Sequence, residues 1–327
     1  MKSLIPFFML ACCLSSSCDK AKEIAAKASA TVEGQIAKQT SQSDDVPADP
    51  ELRKLVDETP EGVIFRKDLP LPSRFEVRIT RISESSNRTV VHSEIGSKAM
   101  MIKGTFTEIL KLERAGEQVR YTLEQSTFTE PVTEKTDAAK TSTPVVLESP
   151  TKPCIFKKTG TNWKAETSEG FRAITLAKQL SPVFDLLLID NAVAARPMWF
   201  PKERVKIGRE FHLNEKALPI LVAGNAKGHL KLKFTSIETV KGHPCGVFEI
   251  TGNFSRKNVP DFSGNLSDAN VTIQAGRIWL SLIYPLILRE ELDMIESGQM
   301  DRQSGIDLRT QGSAKISIIR EWKKTGP

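Results

Sequence analysis

The sequence predicts a mainly β fold with minor α content, in which a large curved antiparallel sheet or half-barrel has a short helical segment covering one face. Three observations lead to this prediction. The most regular run of the chain, residues 276–297, has apolar residues at nearly every second position, which is the period of a strand. Shorter runs with the same period occur on both sides of residue 195, separated by turn residues. A helical period is strong only in residues 171–189.

A proline divides the run 276–297 into a predicted hairpin. The even positions from Ile278 to Met294 are apolar except at Glu290. Because Pro285 cannot donate a hydrogen bond within a central ladder, we expect two strands folded at residues 283–286 rather than one long strand. The apolar sides of both strands would then face the core.

The chain begins with the pattern of an export signal. Lys2 gives a short basic region, residues 4–14 form an apolar core, and three serines precede Cys18. We therefore interpret residues 1–18 as a signal peptide. The low-complexity residues 19–48 offer little to a core and are predicted to form a flexible tether.

The end of the signal resembles that of bacterial lipoproteins, which are cut before a cysteine that is then acylated. In Leu14–Cys18 the leucine stands one place further upstream than in that pattern, whereas Leu10–Cys13 has the spacing but a cysteine before the cut. Lipidation with Cys18 as the favoured site is one interpretation, and plain cleavage without acylation is the other.

Residues 49–327 are predicted to form the β-rich globular domain, either as one unit or as two halves that meet near residues 195–200. Asp49 and Pro50 have the residue types of a helix N-cap and first turn, so a short helix is expected there. Strands, hairpins and turns follow in order. They are strands 74–82 and 89–93 around a polar turn at 84–88, a hairpin 105–124 turning at Ala115-Gly116, a polar loop 133–143, a hairpin 154–163, and strands 205–211, 229–238, 246–254 and 314–322.

Phe171, Ile174, Ala177 and Leu180 recur at spacing three, and a second helix follows Ser181-Pro182. This helical pair could be a lid over the sheet or the ordinary cover that a half-exposed sheet needs. The order of elements fits one large curved sheet, and two smaller barrels joined near residue 195 would fit it too.

Cys154 and Cys245 are the two cysteines outside the signal. In an oxidising compartment two cysteines are most simply one disulfide, which would stabilise the fold by about 4 kcal/mol in the chain-entropy model. The alternative is two unrelated buried thiols.

Composition and charge exclude several classes of function. The chain has 39% hydrophobic and 26% charged residues, and after the signal no apolar run approaches the length of a membrane span. The net charge of +6 is spread along the chain, which suits either a solvated surface or weak attraction to anionic envelope polymers or lipid head groups. Nucleic acid is not an expected partner, because no basic stripe with interleaved aromatic residues is visible.

No arrangement typical of catalysis or metal binding is found, so neither a cofactor nor a metal is expected and the protein is predicted not to be an enzyme. His243 and Cys245 are too close on a turn to form an effective base and nucleophile. Glu290 interrupts the apolar alternation, and an unpaired charge there would be costly. Either the strand has frayed by that residue, or Glu290 meets a cation such as Lys231 or Arg277 inside a cavity.

Four segments together resemble parts of uncharacterised bacterial envelope lipoproteins of β-rich fold, and more distantly the half-barrel of periplasmic lipoprotein carriers. They are VKIGREF, GHPCGVFEITG, GRIWLSLIYPLILREELDM and SAKISIIREW, between Pro201 and Trp322. The resemblance implies an envelope protein able to hold an acyl chain or another apolar partner, and it assigns no ligand-contacting residue.

Three functions follow as hypotheses. The first is an exported, lipid-anchored envelope protein with a non-enzymatic binding or scaffolding role, whose partners are the membrane and an envelope protein or apolar ligand. The second is a carrier of a lipid or other apolar ligand in the concave sheet. The third is a hydrolase of an unfamiliar type, with Glu290 as the residue to test.

Overall fold

Almost all of the chain that the structure describes is β-strand. The predicted signal peptide, the polar loop 133–143 and the helical segment 171–189 lie outside the described residues. A computed structural model describes residues 47–65, 71–93, 96–130, 145–148, 153–160, 162–166, 200–216, 218, 226–260, 266–284, 286–302 and 306–326.

Fourteen strands and one short helix make up the regular structure of these residues. The helix α1 is Pro50–Arg53, and the side chain of Asp49 accepts a hydrogen bond from the backbone N–H of Glu51, as the predicted N-cap requires. The strands are β1 (Asp57–Thr59), β2 (Gly62–Ile64), β3 (Arg74–Ser93), β4 (Gly96–Ala115), β5 (Gln118–Thr129), β6 (Val145–Glu148), β7 (Cys154–Thr159), β8 (Asn162–Glu166), β9 (Glu210–Leu213), β10 (Ala226–Val240), β11 (His243–Pro260), β12 (Leu266–Ser281), β13 (Ile287–Arg302) and β14 (Ile306–Lys324).

Twelve of these strands form one large antiparallel sheet that is not closed. Its order from edge to edge is β8-β7-β5-β4-β3-β14-β13-β12-β11-β10-β9, with β6 beside β5. Strands from the two halves of the sequence therefore meet along β3 and β14, which pair from Phe75 and Lys324 to His92 and Asp307. The single large sheet is confirmed, and the alternative of two smaller barrels is wrong.

The predicted hairpin is confirmed. Strand β12 ends at Ser281 and β13 begins at Ile287, so the chain reverses at the predicted place. The Ser281 hydroxyl accepts hydrogen bonds from the backbone N–H groups of Ile283 and Tyr284, both at 3.2 Å. This side chain therefore organises a turn that lacks the usual glycine or asparagine.

One predicted turn is wrong. Residues 84–88 continue β3 instead of turning, and residues 89–93 extend the same strand rather than returning beside it. The serines and the asparagine of this stretch suggested a turn. In the structure their backbone groups are paired on both sides, with β4 and with β14, so the segment is held as strand although neither face carries an apolar core.

Two apolar clusters pack against the sheet. The Phe248 cluster lies mainly on β10 to β12, and the Trp322 cluster mainly on β3 to β5 and the end of β14. The buried members of the Phe248 cluster are Val63, Phe65, Phe200, Val205, Leu213, Leu218, Leu230, Leu232, Phe234, Phe248, Ile250, Phe254, Val271, Ile273, Ile278, Leu280, Leu282 and Met294. Those of the Trp322 cluster are Phe75, Val77, Ile79, Leu110, Leu112, Val119, Leu123, Phe156, Val240, Cys245, Val247, Trp279, Leu286, Leu288, Ile318 and Trp322.

Neighbouring residues of one strand belong to different clusters near the hairpin. On β12, Ile278 packs in the Phe248 cluster and Trp279 in the Trp322 cluster. On β11, Phe248 belongs to the cluster named after it, whereas Val247 belongs to the Trp322 cluster. Because successive side chains point to opposite faces of a sheet, both faces are buried here. This explains why the sequence of residues 278–283 is nearly all apolar.

The sheet bends around the hairpin. His243 of β11 and Trp322 of β14 are separated by two strands, which in a flat sheet would place them about 14 Å apart. Instead, the His243 Nε2 atom lies 3.1 Å from the Trp322 carbonyl oxygen, and the two rings meet edge to face. The start of β11 and the end of β14 therefore curve toward each other past the turn of the hairpin.

We predict that His243 makes the protein less stable in mild acid. Burial lowers its pKa below the ordinary value, although the bond to the Trp322 carbonyl and the charge of Asp49 act in the opposite direction. The folded state therefore binds this proton less readily than the unfolded state, and the stability present above about pH 6.5 is lost as the pH falls from there toward the lower pKa of the folded state.

Urea unfolding at pH 7.5 and at pH 5.5 measures this effect. His243→Gln should reduce the difference between the two pH values, whereas the exposed His229→Gln should leave it unchanged. An equal pH dependence in wild type and His243→Gln would contradict the prediction.

Candidate functional site

A groove of about 650 Å³, open to solvent, crosses the middle of the sheet. Its volume lies in the range of sites that bind small molecules. Five adjacent strands form it: β3, β14, β13, β12 and β11. The lining residues are Ile82, Glu84, Glu249, Ile250, Thr251, Ala275, Gly276, Arg277, Glu291, Leu292, Asp293, Lys315, Ile316 and Ser317.

The apolar residues of the groove lie where the two clusters meet. Gly276 pairs with Leu292, and Leu292 pairs with Ile316, so these three positions share one face of β12, β13 and β14. Leu292 and Ile316 are only half-buried. Both pack against the Phe248 cluster, and Ile316 also packs against the Trp322 cluster. The side chains of the two clusters thus leave apolar surface accessible between them.

Gly276 is required by the close packing at this point. A Cβ atom there would lie 2.8 Å from the Glu291 carbonyl oxygen, 2.8 Å from Leu292 Cδ2 and 3.0 Å from Ile250 Cγ2. Such distances are shorter than van der Waals contact, and one of the atoms belongs to the backbone. The glycine therefore lets Leu292 and Ile250 approach the β12 backbone and so shapes the apolar part of the groove.

Charged side chains occupy lining positions that alternate with Gly276 and Leu292, and they therefore point to the opposite face of the sheet. Glu291 accepts hydrogen bonds from Arg277 at 2.9 Å and from Arg289 at 2.5 Å. Both guanidinium groups also lie over the ring of Trp279, at 5.1 Å and 4.8 Å from its centroid. The Trp279 indole N–H donates to Glu238 at 2.8 Å. This part of the sheet is held by charge-assisted hydrogen bonds and cation–π contacts.

The structure contradicts the frayed strand and confirms that Glu290 meets a cation, although the cation is neither of the two suggested. Strand β13 does not fray there, since it continues to Arg302. Glu290 is 8% exposed and accepts a hydrogen bond of 2.5 Å from Arg320. The cations suggested by the sequence are bound elsewhere, Lys231 by Glu210 and Arg277 by Glu291.

Register explains why the Glu290–Arg320 pair is buried. Glu290 lies opposite Ile278 on one side and Ile318 on the other, and these belong to the Phe248 and Trp322 clusters. Arg320 was not identified from the sequence, but a signal exists. At every second position from Ala314 to Trp322 the residue is apolar except at Arg320, just as Glu290 is the exception in the hairpin. The two exceptions have opposite charge.

The cysteine predictions are not tested. Cys18 and the side chain of Cys154 lie outside the described residues, while Cys245 is buried with its Sγ atom 3.3 Å from the His243 carbonyl oxygen. Tyr121, the register partner of Cys154, packs against the same Trp322 cluster that contains Cys245. The disulfide stays a prediction.

The imidazole of His243 is directed away from the Cys245 thiol. Its Nε2 atom bonds the Trp322 carbonyl, and its Nδ1 atom is buried without a hydrogen-bond partner. A nucleophile activated by this histidine is therefore not formed. Within the described ranges, no group of three or more His, Cys, Asp or Glu side chains is placed to hold a metal ion.

None of the helical residues that the structure describes forms a segment long and apolar enough to cross a lipid bilayer.

Comparison with known proteins shows no family for this chain and only weak structural similarities. No protein family and no curated protein matches the chain. Similar solved structures include lipovitellin, described for its lipid–protein interactions, at 11% identity over 79% of this chain with a TM-score of 0.35. Neisserial surface protein A is 7% identical over 75% of this chain and 96% of its own, with a TM-score of 0.19. A Vibrio parahaemolyticus domain described as an outer membrane lipoprotein-sorting protein is 9% identical over 75% of this chain and 85% of its own, with a TM-score of 0.11.

The chain spans 26% of the length of the lipovitellin chain. With TM-scores of 0.35 and below, these similarities carry no argument about function, and the predicted membership among envelope lipoproteins stays a prediction. The function is therefore argued from the groove and its residues.

We predict that removing one partner of the Glu290–Arg320 pair destabilises the fold more than replacing both partners with apolar residues. Their side chains are only 10% and 12% exposed. Arg320→Met leaves a buried carboxylate without its partner, which should cost about 3–5 kcal/mol of unfolding free energy. The double change Glu290→Leu with Arg320→Met removes both charges and should recover most of that loss.

Urea unfolding at neutral pH measures these differences. Arg309→Met is the matched control, because Arg309 lies on the same strand and pairs with Asp307 but is 62% exposed. It should change stability by about 0–1 kcal/mol. A loss in Arg320→Met no larger than in this control would contradict the assignment.

Proposed function

We propose that the protein is an exported envelope protein that binds a lipid, or another ligand with a long apolar part, in the groove across β11 to β3. The observation that carries the proposal is the apolar surface of Leu292 and Ile316. These residues lie between two clusters in the middle of the sheet, where burial would be expected, and yet remain half-exposed beside a groove of about 650 Å³.

The physical chemistry of the groove fits an amphipathic molecule. Each methylene group moved from water onto the accessible surface of Leu292 and Ile316 contributes about 0.8 kcal/mol, so a short length of acyl chain suffices for binding. The polar head group of such a ligand would remain in water at the open side of the groove. The apolar part of the ligand would be covered while its polar part stays in water.

The same residues favour binding over hydrolysis. A catalytic carboxylate near the groove would need to exchange a proton with the substrate. Glu291 is bonded to two arginines, and Glu290 is bonded to Arg320, so each of these carboxylates has a cation as its partner. The hydrolase hypothesis therefore receives no support from Glu290, the residue on which it depended.

Export and anchoring rest on the sequence of residues 1–48. A signal peptide places the domain outside the cytoplasm, and acylation of Cys18 followed by a tether would hold it near a membrane. A lipid-binding domain that is held near a membrane is close to the lipid it binds. The scaffolding role remains the second candidate, since an open sheet has edges on which another protein could pair.

We predict that a charge at the apolar part of the groove abolishes lipid binding. Leu292→Glu places a carboxylate against the bound chain, and the affinity for a fluorescent twelve-carbon acyl probe should fall by roughly tenfold or more. Ile295→Glu is the matched control. Ile295 lies three residues further along β13, has the opposite orientation in the strand and is 39% exposed, so its replacement should leave the affinity unchanged.

Fluorescence titration of the purified proteins measures the affinity, and urea unfolding shows whether each variant is folded. Leu292→Ser provides a smaller change if the glutamate prevents folding. Native mass spectrometry of wild-type protein extracted from its own membrane should show a bound lipid. Equal probe affinity in wild type, Leu292→Ser and Leu292→Glu would contradict the proposal.

We also predict that the mature protein begins with an acylated Cys18. Mass spectrometry of the N-terminal peptide should show the added acyl mass, and Cys18→Ser should move the protein from the membrane to the soluble fraction. An unmodified N-terminal residue on protein from the envelope would contradict anchoring while leaving the groove proposal intact.

A further inference from the structure

The end of the β3–β4 hairpin extends beyond both apolar clusters. The hairpin tip is defined here as residues 87–93 of β3 and 96–104 of β4. None of the side chains described for residues 87–103 is buried, and Gly96 to Met101 are all exposed. Among the described residues, β5 pairs with β4 only from Thr105 onward, so no described strand pairs with the outer side of the tip. It is therefore held by backbone pairing rather than by a core.

Two adjacent methionines lie on this exposed strand. Met101 is 64% exposed and Met100 is 38% exposed. As neighbours on a strand they point to opposite faces of the sheet, so the tip presents an apolar side chain on each face. Methionine is flexible and polarizable, and it adapts to irregular apolar surroundings. An adjacent pair on the exposed end of this hairpin is suited to a soft apolar partner.

Basic residues surround the methionines. Residues 87–104 contain Arg88, Lys98 and Lys103 against the single carboxylate of Glu94. Lys98 and Lys103 lie on either side of the methionines along β4, and Arg88 is the register partner of Met101 on β3. All three cations are exposed. The tip thus combines projecting apolar side chains with positive charge, which is the combination that binds anionic lipid surfaces.

We propose that the hairpin tip docks on an anionic lipid surface, with Met100 and Met101 entering the interfacial region and the three cations contacting lipid phosphates. A second copy of the chain fits this edge less well. Antiparallel pairing of two β4 edges centred between Met100 and Met101 would place Lys98 of each copy opposite Lys103 of the other, and like charges directly opposite are destabilising. The inference does not depend on the groove.

Vesicle sedimentation tests the docking. The full chain with Cys18→Ser is used throughout, so that acylation at that residue cannot hold the protein on the vesicles. It should bind vesicles of phosphatidylcholine with phosphatidylglycerol and bind pure phosphatidylcholine far more weakly.

Lys98→Gln and Lys103→Gln should each reduce binding to the anionic vesicles about fivefold. Met100→Ser with Met101→Ser should reduce it as well, whereas Ile207→Ser, at a residue 63% exposed outside the tip, should not.

A local measurement shows whether the tip itself enters the lipid. In Met101→Trp, acyl chains brominated near the head group should quench fluorescence beyond the wild-type level, and in Ile207→Trp they should not. Leu292→Glu should bind vesicles normally, which separates this inference from the groove.

Equal quenching at the two positions, or anionic vesicle binding unaffected by the lysine and methionine changes, would overturn the proposal. So would a dimer in analytical ultracentrifugation that the Met100→Ser, Met101→Ser protein no longer forms.

Discussion

Pairing between β3 and β14 is the interaction on which the rest of the structure depends. Each half of the sequence forms its own meander, and without this pairing each meander would end in a long edge of unpaired backbone groups. The two strands pair from Phe75 and Lys324 to His92 and Asp307, so the contact runs along their whole length. Burying backbone groups without partners is costly, and a continuous ladder avoids that cost for both halves at once. It also brings Ile82 of β3 beside Ser317 of β14, which completes the groove wall.

The groove follows from how the two clusters fit on one bent sheet. His243 and Trp322 show that β11 and β14 curve together at the hairpin end, where both faces are buried. Further from the hairpin turn, Leu292 of β13 and Ile316 of β14 have one cluster on each side and incomplete cover between them. The Glu290–Arg320 pair lies at this boundary. A buried ion pair is weak support for stability, but it fixes which residues of β13 and β14 lie side by side, because a slipped register would leave both charges unpaired.

Sequence reasoning succeeded where one face of a strand is buried and failed where none is. The run 276–297 alternates because its strands have a core side, and its turn was placed correctly around Pro285. Residues 84–88 have no core side, so their small polar residues suggested a turn although they form strand. The groove could not be predicted, since it arises from strands distant in sequence. Arg320 could have been found, because two apolar alternations interrupted by opposite charges, at Glu290 and at Arg320, imply neighbouring strands whose charges meet.

The groove and the hairpin tip lie in one sheet and share strand β3, and this arrangement links the two proposals physically. Along β14, Ile316 of the groove is five residues from Gln311, whose partner Arg88 pairs in turn with Met101. At the rise of a strand, this separation is roughly 17 Å. With the tip on a lipid surface, the groove would thus stand close to the membrane but outside it. The strand segments between them carry mostly small polar residues, such as Ser85, Ser86 and Ser313, which do not compete with the groove for an acyl chain.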